Sequence, residues 1–241
     1  MSEQITKDRY TAVNGDCCEE EAKNPTESIG FSIYSPPFSH LFIYSDSERD
    51  MGNAASDEEF LKHYRFLVQQ LYRVLKIGRT VAVHCSDLPR TKSTHGAVGL
   101  YDLPGDIIRV HEECGFTYHS RVTIWKDPVV EMQRTKAIGL LYKQLLKDSS
   151  RSRVGMPDYL LVFRKTPSDE KGVDRVSHYV EEMPVSQWQQ WASPVWMDIN
   201  QTDVLSVRVA RDDKDEKHLC PLQLDLIERA IQLWSNPDDI V

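Results

Sequence analysis

The clearest pattern of apolar and polar positions lies between residues 56 and 78, and it predicts a helix. Apolar side chains recur there at the spacing that places them on one helical face: Phe60, Tyr64, Leu67, Val68, Leu71 and Leu75. Ser56 is a typical N-cap residue, and Glu59, three residues later, completes a capping box. Gly78 is expected to close the segment, because glycine commonly ends helices.

Shorter apolar runs predict β-strands between helices. Strands are expected at residues 31–34, 80–85, 121–125 and 158–164, and further helices at 105–113 and 129–147. Pro36 and Pro37 end the first strand sharply, since proline cannot continue a ladder. Strands that alternate with helices indicate an α/β fold, with a mainly parallel sheet covered on both faces.

The alternation stops after residue 165. Residues 166–217 are polar and contain three prolines and three of the five tryptophans, namely Trp188, Trp191 and Trp196. This composition predicts an insertion with little regular structure, whose tryptophans either stack on nucleobases or, the favoured reading, pack the insertion against a helix. A final helix is expected at residues 222–234, with Leu222, Leu226, Ala230 and Leu233 on one face.

Composition favours a soluble, packed domain. The hydrophobic fraction is 40%, no apolar run reaches the roughly 18 residues of a membrane span, and the N-terminus is polar. The five cysteines lack Cys-x-x-Cys spacing, and His111, His119 and His218 lack metal-ligand spacing. We therefore expect reduced cytoplasmic thiols, no metal site and no membrane association.

The charge is unevenly distributed along the chain. A formal net charge of −8 does not favour nucleic acid, because phosphate contacts need positive side chains. Residues 126–165, however, contain nine Lys and Arg against four Asp and Glu. Such a run is either the solvated face of a helix or a phosphate-binding surface. In the second case we expect the phosphate contacts to come from Arg134, Lys136, Arg151 and Arg153.

The residues most informative about chemistry are Ser35, Pro36, Pro37 and Phe38, at the carboxyl end of a predicted strand. Open α/β sheets bind ligands at that edge. The hydroxyl oxygen of Ser35 and the carbonyl of Pro36 can accept the two hydrogens of an amino group on a planar base, while Phe38 stacks on its ring. These acceptors would direct the nitrogen lone pair toward an electrophile. The alternative is a Pro-Pro loop that only ends a strand.

An ordered set of motifs resembles the amino DNA methyltransferases, the N6-adenine and N4-cytosine methylases. Residues 35–38 match the Ser-Pro-Pro-Phe form of that family's catalytic motif, residues 14–17 match the Gly-Asp-Cys turn upstream, and residues 217–223 match the motif of the cofactor-methionine pocket. This order, with the catalytic half first, is that of the permuted beta class. Several phage-encoded methylases look alike over the entire chain.

The resemblance implies a Rossmann-like, S-adenosylmethionine-dependent methyltransferase that methylates adenine N6 or cytosine N4 in DNA. Serine at position 35 favours cytosine only weakly. The catalytic residues would be Ser35, Pro36, Pro37 and Phe38, and the cofactor would be held by Asp16, His218, Cys220, Pro221 and Leu222. The chain would divide into a catalytic half (1–165), an insertion or connecting module (166–217) and the start of the cofactor-binding half (218–241).

The sequence departs from the family at its C-terminal end. The family continues with a Pro-Phe-x-Gly-x-Gly loop where this sequence stops, and Asp238 stands where glycine is common. We therefore expect an incomplete sheet that a second copy or another chain completes. The rival interpretation is an inactive or split subunit that binds DNA or a partner protein. Either would act in the cytoplasm of a bacterium or a phage-infected cell, in restriction–modification or phage biology.

His84 and Cys85 end a predicted strand and suggest a nucleophile pair at first sight. Neighbours in a strand point to opposite faces, however, so the two side chains cannot meet. We expect a structural or pocket-wall role for them.

Overall fold

The computed structural model describes residues 3–39, 47–205 and 221–241. Within these ranges the strands are β1 (Glu3–Lys7), β2 (Tyr10–Asn14), β3 (Ile29–Tyr34), β4 (Leu75–Ser86), β5 (Leu88–Arg90), β6 (Gly99–Tyr101), β7 (Thr117–Ile124), β8 (Asp158–Arg164) and β9 (Val195–Trp196). The α-helices are α1 (Cys17–Lys23), α2 (Asp57–Val74), α3 (Lys92–His95), α4 (Leu103–Glu113), α5 (Pro128–Thr135), α6 (Tyr142–Lys147), α7 (Val185–Trp191) and α8 (Leu224–Trp234). Short 3-10 turns lie at Met51–Asn53, Ile138–Leu140 and Ser149–Arg151.

A central sheet has the order β3-β4-β8-β7-β9, and β1–β2 and β5–β6 form two separate hairpins. β3 is parallel to β4 and β9 to β7, whereas β8 is antiparallel to both β4 and β7. β3, β4, β7 and β9 therefore run in one direction and β8 alone is reversed, so the sheet is mixed rather than wholly parallel, and the α/β class is confirmed. The physical reason is the connection from β7 to β8, which leaves and re-enters at one edge, so that Ile124 and Asp158 are register partners.

Helix α2 forms as its sequence predicts. The Ser56 hydroxyl accepts the backbone N–H of Glu59 at 3.2 Å, and the Glu59 carboxylate accepts the N–H of Ala55 at 2.7 Å. The helix ends at Val74 rather than near Gly78, because β4 begins at Leu75. Gly78 lies within β4 at φ +82°, a conformation that favours glycine.

Alternation along the strands gives the sheet two apolar faces. One face packs under α2 and α4 and buries the side chains of Tyr64, Val81, Val83, Ile107 and Phe163. The other packs under α8 and buries those of Phe31, Ala82, Leu160, Trp196 and Leu226. The described part of the chain contains no helix long and apolar enough to cross a bilayer.

Two segments differ from their predictions. The single helix expected over residues 129–147 is broken into α5, a 3-10 turn and α6, because Lys136 ends α5 in the left-handed conformation at φ 53°. Residues 166–205, expected to be an insertion or connecting module with little regular structure, contain one short helix, α7, and the two-residue strand β9, which joins the central sheet. Trp191 and Trp196 both pack against Arg229 of α8, as the helix-packing interpretation predicts, while Trp188 is exposed.

The C-terminal residues lie along the outer edge of β3. The carbonyl of Ile240 accepts the N–H of Gly30 at 2.9 Å. Asp239 pairs with the buried guanidinium of Arg79. Beyond Phe31, the outer edge of β3 has no neighbouring strand among the residues that the structure describes. Among the described residues, this edge of the sheet is therefore open.

Candidate functional site

A cleft of about 1280 Å³ follows the open edge of β3. Its floor comes from β3 and the Ser35–Pro37 turn, one wall from α2 and the other from α8, and one end from the turn at Asp16. Because α2 and α8 cover opposite faces of the sheet, a cleft that touches both must open at the sheet's edge. The cleft is large enough for a nucleoside-sized ligand and a second small molecule.

The Ser35–Phe38 motif lies where the sequence predicts, at the carboxyl end of β3. Ser35, Pro36 and Pro37 line the cleft together with Asp16, which the structure thus brings to the same site. Phe38 is half-buried against the α2 side of the core and is not part of the lining. Its ring centroid lies 6.3 Å from that of His84, with the ring planes tilted by 35°.

A chain of polar contacts runs from Ser35 into the protein. The hydroxyl oxygen of Ser35 lies 3.1 Å from Nδ1 of His84, and Nε2 of the same ring lies 3.1 Å from Oδ2 of Asp158. The Asp158 oxygen does not lie in the direction of an ideal hydrogen bond from Nε2. The other Asp158 oxygen accepts from the ammonium of Lys126 at 2.5 Å. His84 and Asp158 are both buried.

The strand register explains why these residues meet. Tyr34 pairs with Val83 across β3 and β4, so that Ser35 and His84 leave the sheet side by side. Ser86 and Ile124 both pair with Asp158, the first residue of β8. Polar residues at the ends of three strands therefore lie together at one edge of the sheet.

Asp158 is held as a carboxylate. Its burial alone would raise its pKa, but hydrogen bonding and charge from His84, together with Lys126, lower the pKa below its usual value. An ionised carboxylate only accepts hydrogen bonds. Its proton-bearing partners are therefore the imidazole and the ammonium group.

Asp16 caps the N-terminus of α1, and its two carboxylate oxygens make different contacts. One carboxylate oxygen accepts the N–H groups of Cys18 and Glu19 at 2.9 and 3.3 Å, and the other lies 3.1 Å from the guanidinium of Arg49. The ligand atoms of Asp16, Cys17 and Cys18 lie within 4.8 Å of one another. Burial, however, raises the pKa of Cys18 to about 12, which disfavours the thiolate that metals bind.

Two of the remaining cofactor residues predicted from sequence can be located in the structure. Pro221 and Leu222 are half-buried and do not line the cleft, and Leu222 packs against the α8 side of the core. His218 and Cys220 lie outside the described residues. Apolar side chains of α8 line the cleft instead, at Ile227 and Ile231. A carboxylate at one end with apolar walls between suits a ligand that combines a polar nucleoside and an aliphatic chain.

Most of the basic region belongs to a connection that leaves and re-enters the sheet at the edge where Ser35 lies. Residues 125–157 connect the end of β7 to the start of β8, and the start of β8 pairs in turn with the end of β4. Arg134 lies in α5, and Lys136 and Arg151 are exposed. Arg153 instead pairs at 2.9 Å with Glu131, which is buried. Arg153 therefore also braces this connection.

The polar partners of Ser35 were not predicted as functional residues. His84 was expected to have a structural or pocket-wall role, which fits its burial but misses its contact with Ser35. Asp158 and Lys126 were noted only as parts of a strand and a basic run. The available signal was positional: His84 and Lys126 lie at or just after the carboxyl ends of predicted strands, and Asp158 begins the next predicted strand.

Comparisons with known proteins indicate the family to which the chain belongs. Residues 29–241 match the profile of a family described as DNA methylase. TTHA0409 from Thermus thermophilus, solved with S-adenosyl-L-methionine, is 18% identical at a TM-score of 0.63, over 93% of this chain and 74% of that one. PvuII DNA methyltransferase (cytosine-N4-specific) is 16% identical at a TM-score of 0.58, over 93% and 70%. None of the curated proteins matches the sequence.

The structural likeness confirms the methyltransferase fold, and the family match covers most of the chain, including the Ser35–Phe38 motif and most of the cleft lining but not Asp16. The chain belongs to the DNA methylase family, whose members transfer a methyl group from S-adenosylmethionine to an amino group of a DNA base.

Proposed function

We propose that Ser35, Pro36 and Phe38 hold the exocyclic amino group of a flipped-out DNA base for methylation. The observation that carries this proposal is the position of the motif. Ser35 and Pro36 lie at the carboxyl end of β3, in the same cleft as Asp16. Ligands bind at this edge in open α/β sheets.

The Ser35 hydroxyl oxygen and the Pro36 carbonyl accept the two amino hydrogens in this proposal. With both hydrogens held, the nitrogen lone pair points toward the methyl donor, and no covalent enzyme intermediate is required. Phe38 is half-buried, so one part of its ring packs on the core. Because Phe38 lies just outside the cleft lining, its ring would have to stack on the base from there.

S-adenosylmethionine supplies the electrophilic methyl group when bound. We propose that Asp16 holds the polar end of this cofactor and that Ile227 and Ile231 contact its less polar part, because all three line the cleft. By family resemblance, His218, Cys220, Pro221 and Leu222 complete the pocket. Of these, Pro221 and Leu222 would have to act from just outside the cleft lining.

DNA contact is proposed for the connection between β7 and β8. Lys136 and Arg151 are exposed in this connection, which begins and ends at the edge that carries the cleft, and Arg134 belongs to the same connection. A duplex base cannot enter the cleft, so the target must leave the helix, at a cost of a few kcal/mol. Phosphate contacts on this connection would hold the backbone while the base rotates. Arg153 contributes by fixing the loop through Glu131.

The proposed target is adenine N6 or cytosine N4, and serine at position 35 favours cytosine only weakly. The test is methylation of DNA by the full chain with radiolabelled S-adenosylmethionine, followed by mass spectrometry of the nucleosides. N4-methylcytosine or N6-methyladenine is the expected product, and which of the two forms identifies the target base. Ser35→Ala should abolish methylation at unchanged DNA binding, and full activity in this variant would overturn the role of the motif.

A second candidate rests on the open edge of β3. We infer that a second copy or another chain adds a strand beside Ser32–Tyr34, so that the protein acts as one subunit of an enzyme or as a binding module. The support is the cleft itself, which runs along backbone groups that a strand could pair. Sedimentation velocity of the purified chain tests this. A monomer that binds S-adenosylmethionine tightly would overturn it.

We further propose the division into residues 1–165, 166–217 and 218–241, all parts of one methyltransferase domain. The packing of β9 and α8 onto the central sheet supports a single folding unit. Limited proteolysis should cut first within 166–217 if the division holds. The proposed setting is the cytoplasm of a bacterium or phage-infected cell, in restriction–modification or phage biology. Methylation of the host genome at one short site is the observation that would test it.

A further inference from the structure

We propose that His84 and Asp158 form a relay behind Ser35, which fixes the Ser35 hydroxyl as an acceptor and receives the proton that the methylated amino group loses. The proposal rests on the proposed role of Ser35. His84 and Asp158 do not line the cleft. They are therefore positioning residues that act through the serine.

The first step concerns the direction of each hydrogen. Asp158 is ionised and can only accept, so Nε2 of His84 carries a hydrogen toward it. In the neutral imidazole, Nδ1 is then an acceptor. The hydroxyl of Ser35, 3.1 Å away, must donate to Nδ1. Its own hydrogen thus points into the protein.

This orientation decides what Ser35 offers to a ligand. A serine hydroxyl ordinarily rotates and can present either a hydrogen or a lone pair. An amino group brings hydrogens, so a hydroxyl hydrogen pointing at it would repel it. With the hydrogen committed to His84, the remaining lone pairs face the cleft. The site is therefore organised for an amino group before the base enters.

The second step is the proton balance of the transfer. The amino nitrogen forms the new N–CH3 bond as the S–CH3 bond of the cofactor breaks, which leaves the nitrogen with one proton too many. That proton passes to the oxygen of Ser35, while the serine's own proton passes to Nδ1 of His84. The imidazolium formed lies against the Asp158 carboxylate at 3.1 Å. The relay is restored when His84 releases its proton to solvent.

The surroundings of His84 suit this role. Asp158 and Lys126 are the charged groups on the same face, and the ring of Phe38 lies beside the imidazole. On the opposite face of β4, around Cys85, the nearby charges are Asp87, Asp102 and Arg121. Lys126 keeps Asp158 ionised through its second oxygen, so that the first is left to His84.

The test begins with the free protein. Nitrogen NMR of the full chain, with the ring signals assigned through His84→Gln, should show Nε2 protonated and Nδ1 unprotonated at neutral pH. In Asp158→Asn, the amide can donate to Nε2, which moves the hydrogen to Nδ1 and reverses the pattern. Asp169→Asn, an exposed carboxylate beyond the far end of β8, is the matched control and should keep the wild-type tautomer. A wild-type Nδ1 that carries the hydrogen would overturn the proposal whatever the variants do.

The second readout is kinetic. Asp158→Asn should lower kcat for methylation by about 10²-fold or more with little change in KM for DNA, since general acid–base assistance contributes on that order. The pH profile of kcat should change in His84→Gln, because glutamine cannot take up the proton that the relay passes on. Ser35→Ala separates the two proposals. If it abolishes methylation while Asp158→Asn and His84→Gln match wild type in rate and pH profile, only the relay is wrong.

Discussion

Arg229 donates from both terminal guanidinium nitrogens to the two carboxylate oxygens of Asp198, at 3.0 Å each. The same guanidinium carbon lies 4.7 Å from the ring centroid of Trp196 and 5.3 Å from that of Trp191. One side chain of α8 thus ties down the segment that contributes β9. Arginine suits this position because its planar fork can pair and stack at once.

Replacing Arg229 should therefore destabilise the fold. Arg229→Ala is expected to cost about 2 kcal/mol in the free energy of unfolding, because it removes a bidentate pair and two ring contacts. Arg229→Lys should recover only part of this, since ammonium cannot pair in a planar fork. Urea unfolding measures both. An alanine variant as stable as wild type would show that β9 is held by apolar packing alone.

The buried His111 side chain should make the free energy of unfolding depend on pH. Its burial lowers its pKa to about 4, and its ring stacks on Phe163 at a centroid distance of 3.9 Å. The unfolded chain binds a proton below about pH 6.5, but the folded chain does not until about pH 4. Stability from this group is therefore complete above pH 6.5 and falls by about 3 kcal/mol as pH drops to 4.

His111→Phe should flatten that part of the stability profile, because phenylalanine keeps the stacking and cannot titrate. The measurement is urea unfolding at half-unit steps from pH 7 to 4. His119, exposed on β7, is the control position, and its replacement should leave the profile unchanged. A wild-type profile that stays level across this range would contradict the prediction.

Gly30 tests the ion pair at the C-terminal end. A Cβ atom built on Gly30 would clash with the side chain of Asp239, which pairs with the buried Arg79. Gly30→Ala must displace Asp239 and leave the guanidinium without its carboxylate, at a cost of about 3 kcal/mol. Gly99→Ala, in a strand with nothing near its Cβ position, is the matched control and should be nearly neutral. Thermal or urea unfolding distinguishes them.

Charge reversal tests the proposed DNA surface. Lys136→Glu combined with Arg151→Glu should weaken DNA binding and lower the slope of log K against log salt by about one unit per lost phosphate contact. Lys171→Glu, an exposed lysine that follows the far end of β8, serves as the control. Equal affinities and slopes for the double variant and wild type would place the DNA elsewhere.

Much of the fold could be predicted from local patterns. The capped, one-faced helix α2 and the strand at residues 158–164 follow from spacing that acts within a few residues. Strand direction could not be predicted, since the reversal of β8 depends on where a connection of about thirty residues re-enters the sheet. The break of the predicted helix at Lys136 could not be predicted either, because a lysine in the left-handed conformation has no strong signature in sequence.

The candidate site likewise has parts that the sequence predicts and parts that it does not. The Ser35–Phe38 motif and Asp16 were predicted because each is a contiguous signal, and the structure places Ser35, Pro36, Pro37 and Asp16 in one cleft. The contact of Ser35 with His84 and Asp158 joins residues far apart in sequence. It depends on strand register, which periodicity does not reveal. Arg153 shows a related difficulty, because its pairing with Glu131 cannot be deduced from a count of charges.

Successive side chains of β4 point to opposite faces of the sheet. The number of residues in β4 is therefore more strictly constrained than its amino-acid composition. Cys85 packs into the core under α2, while His84, its neighbour, turns to the other face and reaches Ser35. Exchanging one apolar residue of β4 for another of similar size leaves both orientations intact. Inserting or deleting one residue between Gly78 and His84 would exchange them, and would place an imidazole in the core and a thiol behind the serine. Among natural variants, β4 should therefore accumulate substitutions while excluding single-residue insertions and deletions.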